Sequence, residues 1–127
     1  MRRVKRMAVR VTPKTPYINW ANGLEEGGVK LGSEYLPDDN IYLVEDSDAL
    51  ELDLEQLLEP HYAAIFEEEL GAWHRREAAW PQHRDLATFL AWFEVDVHSQ
   101  VFDLIGGWLR TERYARYWRS PQATRRW

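Results

Sequence analysis

Cysteine is absent from this 127-residue chain, so no disulfide framework, thiolate metal site or cysteine nucleophile can be built. A cysteine-free composition favours a reducing compartment, and a cytoplasmic location is the expectation. Long apolar runs are missing as well. No stretch approaches the roughly 20 residues that a membrane-spanning helix needs, so no membrane partner is expected. The opening MRRVKRMAVRV carries the charge of a signal peptide, but Arg10 interrupts its apolar part and Pro13 follows. It is read as the start of a mature domain. Gly27–Gly28 and Gly106–Gly107 lack the spacing and the lysine of a phosphate-binding loop. His61, His74, His83 and His98 stand in no HExxH frame, and none lies three or four residues from another. Ser33, Ser47, Ser99 and Ser120 sit in no nucleophile-elbow context. No catalytic set is complete, no cofactor or tightly bound metal is expected, and enzyme activity is left open.

What the chain does have is aromatic mass and polarised charge. Apolar residues make up 45% of it, enough for a folded domain, and seven tryptophans supply large rigid side chains for a small core. Residues 1–14 hold six basic residues and no acid, and residues 107–127 hold six arginines and one glutamate. Removing these +6 and +5 ends from the net charge of −5 leaves −16 on residues 15–106. Basic ends lying across an acidic body would neutralise it. Ends reaching for nucleic acid would have to overcome repulsion from that body, which weighs against nucleic acid as a partner.

The periodicity predicts strand, helix, strand, two or three helices and strand. That order implies an α+β fold, a small three-stranded sheet packed on one face by three to four helices. Met7–Thr12 alternates as a strand. Thr15 is read as the N-cap of a two-turn helix with Pro16 in its first turn, Ile18 and Trp20 buried, and Gly23 left-handed past its end. Residues 23–40 read as a loop and Ile41–Val44 as a strand. Asp53 and Gln56 have capping-box spacing, with Leu54, Leu57 and Leu58 on one face. Tyr62, Ile65, Phe66, Leu70 and Trp73 recur at helical spacing, and Glu67–Glu69 between them are read as a solvated face. Asp85 suits the N-cap of a helix burying Leu86, Phe89, Leu90 and Phe93. The period then changes to two over Glu94–Leu104, which predicts the principal strand, with Val95 and Val97 in a core shared with Val44, Ile65, Phe66, Phe89 and Phe93. Trp20, Trp73, Trp80 and Trp92 are assigned to the same core. The folded domain is placed at residues 1–105 and a basic aromatic tail at 106–127.

The runs IFEEELGAWH and WPQHRDLATFLAWFEVDVHSQVFDL resemble a family of small bacterial proteins. The resemblance spans Ala8–Leu104 and implies a bacterial single-domain protein. It brings no activity, substrate or site residue with it.

Two constellations are candidate sites. Glu94, Asp96 and His98, with Gln100 beyond, fall on one face of the predicted strand, where alternate residues stand about 6.5–7 Å apart. Two carboxylates beside an imidazole could share acid–base work, and these three are the catalytic candidates. The same pattern is what a half-buried strand shows to water, and it fits no metal motif. The second candidate is the tail, where Arg110, Arg113 and Arg116 repeat at intervals of three with Trp108, Tyr114, Tyr117 and Trp118 among them. Arg110, Arg113, Arg116 and Trp118 are the binding candidates, for an acidic protein surface or for phosphates with stacked bases. Protein–protein contact, with a protein partner or as a homo-oligomer, is the leading function class. A small acid–base or metal-dependent enzyme on the Glu94 face comes second, and nucleic-acid binding third.

Overall fold

The structure is a computed structural model that describes residues 1–24, 39–46 and 52–115. It has the expected α+β architecture. The chain runs β1 (Arg2–Arg3), β2 (Arg6–Pro13), α1 (Thr15–Gly23), β3 (Asn40–Glu45), α2 (Leu54–Leu58), α3 (Tyr62–Trp73), a 3-10 turn (Glu77–Ala79), α4 (Leu86–Trp92), β4 (Phe93–His98) and β5 (Phe102–Asp103). β2 is the centre of an antiparallel three-stranded sheet in the order β3-β2-β4, and β1 pairs with β5 in a second small antiparallel sheet.

Alternation along β2 divides the large sheet into two faces. Met7, Val9 and Val11 point into the core, beside Val44 of β3 and Phe93 of β4. The helices close over this face with Tyr17, Leu57, Leu58, Ile65, Phe66, Leu70 and Phe89. Its centre is an aromatic cluster. The Phe66 and Phe93 rings meet edge to face at 5.5 Å, and Phe89 and Tyr17 lie 5.1 and 5.4 Å from Phe93. Such tilted and perpendicular pairs align the positive ring edge with a negative face and add to the stabilisation from burial.

Local signals explain the elements. Asp53 accepts from the Gln56 backbone at 2.8 Å while Gln56 returns its side-chain oxygen to the Asp53 N–H at 3.1 Å, completing the capping box. Asp85 caps α4 through the Thr88 N–H at 2.7 Å. Pro16 lies in the first turn of α1, as expected, but Lys14 takes the cap position and makes no side-chain cap bond. The Lys14 N–H instead bonds Trp92 O at 2.8 Å, tying the start of α1 to the α4–β4 junction. Tyr17 and Ala21 are the buried residues of α1, with Ile18 and Trp20 only partly covered. Gly23 is the last helical residue and not left-handed; among the described residues the glycine with positive φ is Gly107, at 89°. Trp80 is buried and donates to His74 O, while Trp20, Trp73 and Trp92 pack at the core's margin.

Three further expectations need correction. The predicted strand over 94–104 is broken. β4 ends at His98, opposite Ala8, and pairing resumes at Phe102 opposite Arg3. Four residues (4–7) on one strand thus face three (99–101) on the other, a one-residue slip that turns the chain into the second sheet. Arg3 braces the bend by donating to Ser99 O at 3.0 Å. Gln100 therefore leaves the face it was assigned to. Val97 is 38% exposed, because it sits near the end of an edge strand, away from the Phe93 end that the aromatic cluster covers. Finally, Glu69 is not solvated but 5% exposed. Most of the loop predicted at 23–40 lies outside the described residues.

Candidate functional site

The sheet's second face is open. Arg6, Ala8, Arg10 and Thr12 of β2 lie between Ile41, Leu43 and Glu45 of β3 and Glu94, Asp96 and His98 of β4. The sequence thus places Glu94, Asp96 and His98 on one face, and the register puts them opposite Thr12, Arg10 and Ala8. Their chemistry is divided. Asp96 accepts from the Arg10 guanidinium at 2.7 Å, and Arg10 also approaches Asp39 at 3.9 Å. The Asp96 hydrogen bond raises the Arg10 pKa, so the guanidinium stays charged. Among the described residues no group of three or more histidine or acidic side chains is placed to hold a metal ion. Beside these charges stand Ile41 and Leu43, 64% and 48% exposed. Sequence reading missed them, since Ile41–Val44 looks uniformly apolar; only the register with Arg10 and Ala8 shows which two face water.

At the lower edge of this face His61, at the start of α3, meets Glu45 at 2.7 Å. That bond holds the Glu45 carboxyl below the usual glutamate range. Asp46 is lowered likewise by the Arg3 guanidinium, 3.0 Å away.

The buried Glu69 belongs to the interior layer. Its carboxylate accepts from Asn40 Nδ2 and from the Tyr42 hydroxyl, both at 2.5 Å, and its carbonyl accepts from Tyr17 Oη at 2.8 Å. Burial first, and then the Glu69 charge, push the Tyr42 pKa far up, so this hydroxyl keeps its proton as donor. A buried carboxyl group needs hydrogen-bond partners; Asn40 and Tyr42 supply them and tie α3 to β3, while the Tyr17 bond to the Glu69 carbonyl ties α3 to α1. The signal was available in the sequence: Glu69 stands four residues after Ile65 on the helix's apolar stripe.

The third region is the C-terminal segment. Past β5 the chain exposes Leu104 by 73%, Ile105 by 77% and Trp108 by 88%, with Phe102, Leu109 and Tyr114 about half exposed. Gly107, in the left-handed region that favours glycine, turns the chain here. The described part of the segment touches its own body. The Arg2 guanidinium lies 5.9 Å from the Trp108 ring centre, and Tyr114 donates to Glu68 Oε2 at 2.6 Å. Arg110 and Arg113 are exposed beside them, whereas Arg116 and Trp118 lie outside the described residues.

No protein-family model, curated protein or solved structure matches this chain. Among the described residues no helix is long and apolar enough to cross a membrane.

Proposed function

We propose that this protein is a non-enzymatic binding module acting through protein–protein contacts, in which residues 1–105 are the folded domain and 106–127 a basic aromatic tail. The docking element is the segment from Leu104 onward. One observation carries this reading: Leu104, Ile105 and Trp108 are each at least 73% exposed within a few residues of one another, although the same chain buries its interior aromatics almost completely. Exposed apolar side chains concentrated in this way mark interaction sites more often than idle surface. Arg110 and Arg113 beside Trp108 suit an acidic partner, and Trp and Arg are the residues that most often dominate binding energy. A cytoplasmic setting agrees with the absence of cysteine.

The test is binding of the full chain to an acidic aromatic probe, a glutamate–tyrosine copolymer, beside a single-stranded oligonucleotide of equal charge. Saturable copolymer binding is expected, weakened by joint Trp108→Ser, Arg110→Ser and Arg113→Ser substitution. It should fall between 0.15 M and 1 M salt as the Debye length shortens from about 8 Å to about 3 Å. Equal binding by the triple variant would remove the segment from the site. Binding to the oligonucleotide alone would replace this function with nucleic-acid recognition.

A further inference from the structure

We infer that the partner is a second copy of this chain, with the C-terminal segment of each copy lying across the open sheet face of the other. The inference rests on the docking role proposed for that segment and names what it docks on. The open face has the matching composition. Ile41 and Leu43 form an apolar stripe along the edge strand β3. Glu45 shares that strand, Glu94 and Asp96 stand across β2 on the other edge strand, and Asp39 lies against Arg10, so the face carries four carboxylates and two arginines, Arg6 and Arg10. Asp96 and Asp39 are already engaged with Arg10, and Glu45 with His61. Glu94 on β4 is an acid of this face exposed at its margin. The segment offers the complement in the same order of chemistry, apolar Leu104, Ile105, Trp108 and Leu109 followed by Arg110 and Arg113. Apolar side chains would cover Ile41 and Leu43, and the arginines would reach the acidic margin.

The described part of the chain's own segment, up to residue 115, contacts a different surface. Tyr114 is bonded to Glu68 of α3, and α3 packs on the opposite, helix-covered face of the sheet. Among the described residues the open face is thus left for another molecule. Exchange between two copies about a two-fold axis satisfies both segments and both faces with one geometry and doubles the contact.

Because the chain has no cysteine, directed cross-linking reads the contact without background. Full-length Leu43→Cys and full-length Trp108→Cys are mixed at equal concentration and oxidised. The mixed disulfide dimer is expected to exceed either homodimer. Sedimentation velocity of the cysteine-free chain should show a dimer that Ile41→Lys with Leu43→Lys weakens by about tenfold or more, with an unchanged circular dichroism spectrum. In a second pair, Arg110→Glu with Arg113→Glu should lose the dimer, and mixing with a Glu94→Arg chain should restore a heterodimer. A monomer at every concentration, or a mixed disulfide no more abundant than the homodimers, would overturn the exchange. If the monomer still binds the glutamate–tyrosine copolymer, the docking segment stands and only the self-partner falls; loss of both removes both.

Discussion

Tyr17, Phe66, Phe89 and Phe93 are sealed inside the domain, while Trp108, only fifteen residues beyond Phe93, stands almost wholly in water. The difference lies in what surrounds them in sequence. The interior aromatics occur at helical spacing or at the start of an alternating strand, so one face of each element can bury them against another. Trp108 follows a glycine turn and precedes arginines that would have to be buried with it. The same side-chain chemistry therefore builds a core in one region and an exposed surface, the one proposed to dock, in the other.

Substitutions in the two regions should separate sharply. Phe93→Ala removes a fully buried ring from the centre of the cluster and should cost about 3–5 kcal/mol in urea unfolding. A loss below about 1 kcal/mol would mean that the cluster is not the core. Next comes Tyr42→Phe, which keeps the ring but takes one donor from the buried Glu69 carboxylate. A hydrogen bond to a charged group is worth roughly 1.5–3 kcal/mol, and unfolding free energy should fall within that range. Asp53→Ala removes the capping box of α2 and should cost about 1 kcal/mol. Trp108→Ser should change stability by no more than about 1 kcal/mol, the scale of an exposed cation–π contact, while lowering association.

Acid should act on a further cap. Hydrogen bonds from Thr88 hold the Asp85 carboxyl at about 2, below its ordinary 3.8. A depressed carboxyl contributes stability that is fully present above the unfolded value and is lost as pH falls through the folded value. Unfolding midpoints should therefore decline from about pH 4 toward pH 2, and Asp85→Asn, which cannot titrate, should make that decline shallower. An unchanged slope would show that the Thr88 bonds do not set this carboxyl's behaviour.

Periodicity and capping made most of the fold legible. The Asp53–Gln56 and Asp85 caps, the α3 stripe and the alternation of β2 are each local features found where the sequence places them, and that of β4 holds as far as His98. What escaped was pairwise. The register slip between residues 4–7 and 99–101 depends on two strands far apart in sequence, so an unbroken alternation over 94–104 could not reveal it. Glu69 is a mixed case: its place on the α3 apolar stripe is local and legible, but its partners Asn40 and Tyr42 lie on another element. At the candidate sites, Glu94, Asp96 and His98 share a face as expected, but the pairing of Asp96 with Arg10 follows only from the β2–β4 register. The exposed apolar pair Ile41 and Leu43 is likewise a product of register.

The division of labour between core and segment is tested most directly by ending the chain at Ile105 and comparing it with the full chain. Circular dichroism and the urea midpoint should remain close to those of the full chain, because the core residues all lie before Phe102. Concentration-dependent mass in sedimentation velocity should disappear. Unfolding of the shortened chain, or association that survives the truncation, would contradict the account.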